Sequence, residues 1–547
     1  MDFNPALANP ESAPNVPAIF EASPQQATIF DWVQTGQGHS IVIAVAGSGK
    51  TTTLIESLAR MTGKVTLLAF NKKIADEIKS KLACRGITWV KVYTFHALGW
   101  SYWRKAAPDC KIEGFEADNA GYLKATRILE EIRDNEGLEC PFIYHGFVKK
   151  AMLYAKQRLF GFEINLMDKK AWLDMVSHFD LQEEIADENG DVPDDIDFHV
   201  GQALNWTVRA LRYSIQIARE VIDYEDMIYM PLVANCFVWQ QDWVLVDEAQ
   251  DTNPARRAFV RKILKPSGRS IWVGDPHQAI YGFTGADAES LDNIKKSFNC
   301  VELPLTWTFR CPKEVVKLAQ NWVSHIQAAP QAPDGIVGRV SDTKFMQDLV
   351  ARKFDETLMT DAILCRNNRP LVELALKLIR QGIACHVEGR DIATGLIKLA
   401  NRWKSIDTLD QLVKRLEEYM TEEVQKLMAK GKELAAETLE DTVTTLLTII
   451  WSLPQGSTIP VLTQKIESMF MDSDKMRRQT LTLSTIHKSK GREWNRVFWY
   501  CPNLYQPSKF ARQDWQQLQE KNLMYVAATR AKQQLTIVTG TGVLPTA

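Results

Sequence analysis

No apolar run in this chain of 547 residues reaches the length that spans a bilayer, so no membrane segment is expected. Net charge is equally scarce. The 65 Lys and Arg against 67 Asp and Glu leave a formal −2, so any contact with a polyanion must come from local basic surfaces, not from the field of the whole molecule. Cysteines 84, 110, 140, 236, 300, 311, 365, 385 and 501 are scattered without a C-x-x-C pair. That spacing argues against a disulfide framework and against a zinc or iron–sulfur site, and it fits a reducing compartment. The opening MDFNPALANPESAPNVPAIF has neither the basic start nor the continuous apolar segment of a secretory signal. Residues 1–18, broken by prolines 5, 10, 14 and 17, read as a flexible tail.

The length allows roughly three or four domains, each with its own core. Hydrophobic residues at 45% and charged residues at 24% are ordinary for a globular chain, which leaves the patterning to decide the class. Short β-rich runs end in polar or glycine-bearing turns: SIVIAVAGSGK, VTLLAFNKK, WVLVDEAQD, SIWVGDPHQ, AILCRNN, TLTLSTIHKSKG, RVFWYC and LTIVTG. With helical stretches between them they predict α/β layers of parallel sheet, with the chemistry at the strand C-terminal ends. One α/β lobe is expected over 19–100 plus 200–306, interrupted by a helical insert over 101–199. A second is expected over 307–398 plus 478–547, interrupted by a short helical insert over 399–477.

The stretch IVIAVAGSGKTTTLIES places a glycine turn between an apolar strand and a helix. Such a junction aims backbone N–H groups and the helix dipole at a phosphate chain. Ala46, Gly47, Ser48 and Gly49 form the turn; Lys50 reaches the β and γ phosphates; Thr51 can ligate Mg²⁺, and Thr52 follows it on the helix. The phosphate-loop pattern asks for glycine at 44, where this chain has Ala44. In WVLVDEAQD an apolar strand delivers two carboxylates: Asp247 to hold the metal, and Glu248 to orient and deprotonate the attacking water.

AVAGSGKTT, VDEAQD, VGDPHQAIYGFTGA, STIHKSKGREW and YVAATRAK, in that order, resemble the UvrD/Rep group of superfamily 1 DNA helicases. The wording LLAFNKKIADEIKSKL followed by YTFHALGW is most similar to the F-box DNA helicase branch and to small phage and bacterial relatives. In that group alanine or glycine is common at the position of Ala44. The resemblance implies two RecA-like domains, each with a helical insertion, and ATP with Mg²⁺ in the cleft between them. It implies that Gln25, or its neighbour Gln26, reads the adenine edge, that Phe309 stacks on adenine where the family usually has tyrosine, and that Gln278 senses the γ-phosphate. Arg310 and Arg530 would contact the γ-phosphate from across the cleft, Glu493 would bind the ribose, and Gly491 would lie beside it.

For the strand, the same resemblance points to Phe70, Asn71 and Lys72, to Thr94, Phe95 and His96, to Tyr281 and Phe283, and to Thr485 and His487. Aromatic platforms beside phosphate contacts suit single-stranded nucleic acid. The basic helix PARRAFVRKILK, carrying Arg256, reads as a solvated charged face. The implied activity is an ATP-dependent DNA helicase or single-strand translocase, 3′-to-5′, acting in repair, recombination or replication on single strands and junctions. RNA stays open as a substrate, and single-strand-binding or recombination proteins as partners. Two other readings stand beside it: a translocase that mainly strips bound proteins, and an ATP-gated binding module with no motor. The expected location is the nucleoid-associated cytoplasm of a bacterium or phage-infected cell, or the nucleus of a eukaryote.

Overall fold

The computed structural model describes residues 21–113, 123–185, 193, 195–280, 289–351, 360–403, 406, 408–429, 433–470, 480–509, 511 and 514–540. The expected tail over 1–18 lies outside the described residues. The first sheet is built from β1 (Ser40–Ala44), β2 (Val65–Ala69), β3 (Lys91–Thr94), β4 (Gln241–Val246), β5 (Leu264–Gly274) and β6 (Val301–Leu305). All pairings are parallel, in the order β3-β2-β4-β5-β1-β6. Strands such as VTLLA are buried at every position, as a sheet covered by helices on both faces demands. Because β4, β5 and β1 are neighbours, the turns after DEAQD, GDPHQ and the phosphate loop emerge side by side.

The second sheet contains β7 (Ile336–Ser341), β8 (Asp361–Cys365), β9 (Cys385–Val387), β10 (Leu481–Thr485), β11 (Trp494–Tyr500) and β12 (Ala531–Thr539). It is parallel too, in the order β7-β12-β11-β8-β10-β9. The fold is therefore α/β with two parallel sheets, each flanked by helices.

The first helical layer differs in extent from the sequence expectation. Helix Ile196–Gln216 packs on Leu123–Glu136 and His145–Gln157, so the layer runs past residue 199 to Gln216. The reason is its inward stripe of Val200, Ala203, Leu204, Thr207, Ala210, Leu211 and Ser214, which needs a helical partner. Four buried charges set the register of this layer. Lys124 Nζ donates to Asp226 Oδ2 at 2.7 Å, and Lys156 Nζ lies 2.8 Å from Asp226 Oδ1 and 2.5 Å from Asp223 Oδ2. Such a group adds little net stability but is costly to break by halves.

In the second lobe, helices Glu433–Trp451 and Ile459–Met469 pack on Asn368–Arg380 and Arg390–Ala400, and Leu409–Ala429 packs on Glu433–Trp451. Leu412, Val443, Leu446 and Leu462 share one core with Ile363 and Leu371 of the sheet lobe. A polar contact reinforces the seam: Asp441 accepts from the backbone N–H groups of Asn368 and Arg369, both at 2.9 Å, capping a helix that its own Asn367 leaves uncapped. Replacing Asp441 with alanine orphans those two donors, and thermal denaturation should show a loss of about 1–3 kcal/mol. An unchanged melting curve would mean that apolar packing alone docks the insert.

Candidate active site

The phosphate loop follows β1, whose last residue, Ala44, is buried in the first-lobe core, so its methyl group faces apolar side chains. Gly47 and Gly49 have φ of 71° and 80°, a region that disfavours side chains. Space is as restrictive as conformation. A Cβ on Gly47 would lie 2.5 Å from Arg310 Cβ and 2.7 Å from Thr308 Oγ1. Helix Lys50–Ser57 then starts at Gly49 with no side chain capping its N-terminus. Ser48 Oγ is buried and makes no hydrogen bond among the described residues. A buried donor in a loop of this shape suits a phosphate oxygen.

Lys50 Nζ lies 3.3 Å from Glu248 Oε2. Burial works against its charge, but Glu248, Asp275 and Asp247 outweigh burial and raise its pKa. Thr51 Oγ1 donates to Asp247 Oδ2 at 2.7 Å, which brings together two of the oxygens that a Mg²⁺ site with phosphates and waters requires. Burial, and next the adjacent Glu248, raise the pKa of Asp247. For Glu248 burial acts in the same upward sense, but Lys50 and Lys490 overcome it and hold the group ionised. Glu248 has φ of 53°, a left-handed conformation rare for a side-chain-bearing residue.

Behind the carboxylates runs a hydrogen-bonded chain. Gln250 Nε2 donates to Glu248 Oε2 at 2.5 Å; the N–H of Asp275 donates to Gln250 Oε1 at 3.1 Å; Gln278 Nε2 donates to Asp275 Oδ2 at 2.6 Å. Gln278 is thereby tied to Glu248. Of the two glutamines near the adenine end, Gln26 is turned inward, accepting from the N–H of Ser23 and donating to Thr53 Oγ1. Gln25 exchanges two 2.8 Å hydrogen bonds with Thr306, on the segment leading to Phe309.

The second lobe meets this loop directly. The N–H of Ala46 donates to the Tyr525 hydroxyl at 2.9 Å, and Asn522 Nδ2 donates to the carbonyl of Ala279 at 3.0 Å. Both project from helix Asp514–Ala528, which leads into Arg530. Val45, Ala46 and Ile280 share an apolar cluster with Cys311, Ile486 and Tyr525. Arg310 Nε donates to Glu493 Oε2 at 2.6 Å, and Lys532 approaches the other oxygen at 3.7 Å, so Glu493 stands in an ion pair beside the cleft. Gly491, with φ of 81°, has open space where a side chain would be.

Arg530 is fully buried. Its donors reach the carbonyls of Val526 and Arg492 and the Thr529 hydroxyl, and among the described residues no carboxylate pairs with it. Burial first, and then Arg310, pull its pKa down to about 9. A buried cation held by neutral acceptors is poised for an anion. Phe309 is 45% exposed, and a Cβ on Gly49 would touch its ring edge at 4.0 Å. Truncating this ring to alanine should raise the KM for ATP roughly 2- to 10-fold, the worth of one aromatic contact, with kcat little changed in steady-state titrations.

The strand-contact residues separate into two sets. Phe70 is half-buried at the end of β2, Lys72 is exposed, and Asn71 caps the next helix by accepting from the N–H of Ile74 at 2.9 Å. Thr94 caps its helix in the same way through Ala97. Phe95 corrects the sequence reading: at 2% exposure its ring belongs to the core and offers no open face to a base. His96 is also buried, stacked on Tyr224 at 3.8 Å with Glu225 3.9 Å away. The rings follow β3 directly into helix Phe95–Ala106, whose inner face carries them inward. Thr485 is buried at the end of β10, accepting from the N–H of Lys488, and His487 is kept neutral because burial, Arg366 and Lys488 push its pKa down to about 3. Tyr281 and Phe283 lie outside the described residues.

Residues 25–299 match the model of the UvrD/REP helicase N-terminal domain, and residues 394–541 that of the UvrD-like helicase C-terminal domain. The chain belongs to the UvrD/REP helicase family. It is 23% identical over 337 residues to a probable DNA helicase II homolog of Mycoplasma pneumoniae, across 56% of this chain and 43% of that protein. It is 25% identical over 320 residues to the ATP-dependent DNA helicase PcrA of Leuconostoc citreum, across 54% and 38%. To the ATP-dependent DNA helicase UvrD1 of Mycobacterium bovis it is 24% identical over 393 residues, across 64% and 48%. The chain spans less than half the length of each of these relatives. No described helix of this UvrD/REP family member is long and apolar enough to cross a membrane.

Sequence reasoning passed over Tyr525, Gln250 and Asp275, although all three lie inside the motifs it quoted. The available signal was position: Tyr525 stands in the last turn of helix Asp514–Ala528, in the same short motif as Arg530, which follows that helix.

Proposed function

We propose that the chain is an ATP-driven DNA motor that moves 3′-to-5′ on single strands and opens duplex at junctions, in repair, recombination or replication. The observation that supports this reading is that Lys50, Thr51, Asp247 and Glu248 gather behind a phosphate loop that second-lobe residues reach directly, Tyr525 bonding Ala46 and Arg310 lying against Gly47. A binding module has no use for an ionised carboxylate base and a fully buried arginine at one cleft.

Thr51 and Asp247 would hold Mg²⁺, which when bound neutralises phosphate charge. Lys50 turning to a phosphate oxygen takes from Glu248 its nearest counter-ion, and the carboxylate becomes a better proton acceptor. Gln250 and Gln278 hold the orientation of that carboxylate through Asp275. Arg310 and Arg530 stabilise charge on the transferred phosphoryl group only while the lobes are together, so the cleft has to be closed for turnover. Phe70, Asn71 and Lys72 on one lobe and Thr485 and His487 on the other would grip the strand alternately.

Steady-state ATPase with and without a single-stranded oligonucleotide, for the wild type and Lys50→Ala, tests the motor. Stimulation by DNA that the variant abolishes is expected; a wild type indifferent to DNA removes the proposal. An RNA oligonucleotide, a tailed duplex and a protein-coated strand then separate substrate and task.

A further inference from the structure

Arg256 is not the solvated cation its sequence suggests. Its guanidinium carbon lies 5.0 Å from the centroid of the Phe70 ring and 5.8 Å from that of Phe95. Its Nη1 donates to the carbonyl of Asp251 at 2.7 Å, and its own N–H donates to Asn253 Oδ1 at 3.0 Å, locking the start of helix Pro254–Ile263. The Asp251 carboxylate, 1% exposed, is gripped by Lys490 of the second lobe at 2.7 and 3.0 Å. The N–H of Asp251 in turn donates to the carbonyl of Glu248 at 3.1 Å, so the loop that receives Lys490 is bonded to the backbone of that carboxylate's residue. Glu225 and Tyr224 of the helical layer face the same guanidinium.

A planar cation thus lies against one face of a half-buried ring at the strand surface, and its other end is bonded to the loop that carries the catalytic carboxylate. We propose that Arg256 is a positioning residue that couples occupation of the Phe70 surface by a nucleic-acid strand to the interlobe Asp251–Lys490 pair, and through it to hydrolysis at Glu248. The inference rests on the motor reading above. A base stacked on the outer part of the Phe70 ring fixes that ring against the guanidinium. The guanidinium then fixes the Asp251 backbone, and with it the angle at which Lys490 is received. Lysine would keep the charge that Glu225 and Asp251 require but has no plane to lie on the ring.

The test measures ATP turnover with and without a saturating oligothymidylate, oligonucleotide affinity by fluorescence anisotropy, and melting temperature. The proteins are the wild type, Arg256→Gln, Arg256→Lys, Lys490→Met and the Arg256→Lys/Lys490→Met double variant. Both Arg256 variants should keep basal turnover and oligonucleotide affinity within about twofold of wild type, while stimulation falls by about tenfold or more, the ordinary size of a coupling between sites. Arg256→Lys should also keep the melting temperature, which separates coupling from mere support. The double variant should lose no more stimulation than Lys490→Met alone, because both residues act in one chain of contacts. A wild type that DNA does not stimulate defeats the motor reading itself. With a stimulated wild type, full stimulation in Arg256→Lys overturns the coupling role, as does an affinity loss that matches the loss of stimulation, or additivity in the double variant.

Discussion

Replacing Arg530 with methionine should lower kcat for DNA-stimulated ATP hydrolysis by roughly 10³ to 10⁵, the worth of an arginine delivered to a phosphoryl group across a cleft. The unusual part of the expectation concerns stability. Arg530 is fully buried, held by two carbonyls and a hydroxyl, with no carboxylate in an ion pair with it among the described residues, and Arg310 adds a like charge nearby. Methionine fills much of the same volume without a charge to desolvate. The variant should therefore melt at the same temperature as the wild type or above it while turning over almost nothing. A residue kept for activity at a cost in stability gives that pair of results. A variant that is folded and retains more than about a tenth of wild-type kcat would place Arg530 outside the transition state.

Glu248→Gln should reduce kcat by about 10² to 10⁴ while ATP binding persists, since an amide of the same shape cannot accept the proton of the attacking water. Three observations set this residue apart from Asp247. It stands in a left-handed backbone conformation, its carboxylate is fixed by Gln250, and Lys50 and Lys490 hold it ionised. Asp247, raised by burial and by Glu248 itself, instead meets Thr51, as a metal-side carboxylate should. Single-turnover kinetics with a nucleotide-binding assay separate the two roles: normal hydrolysis by Glu248→Gln would transfer the base function elsewhere.

Much of the candidate site's architecture was legible because its residues are ordered by local geometry. A strand, a turn and a helix N-terminus lie within one short stretch at Ala44–Lys50, and β4, β5 and β1 bring the other turns beside it. The failures share a different cause. Phe95 follows a strand end, as a stacking residue would, but the helix that starts there turns its first ring into the core. Arg256 sits in a run of basic residues, and nothing in that run names Phe70 or Asp251, which lie on other elements. The seam between the second insert and its lobe was invisible for the same reason. A helical period shows that Leu412, Val443 and Leu462 want burial but not that Leu371 and Ile363 are what they bury against.

That seam, and its counterpart where the first helical layer shares a core with Ile41, Leu68 and Trp272, has a mechanical meaning. Helices bound into a sheet's own core at interior packing density yield little under load. Each helical layer is thereby bound to the sheet it packs on, between the candidate nucleotide cleft and the surface that would hold a strand. On the proposed motor reading, displacement made at the cleft would be carried to that surface with little elastic loss.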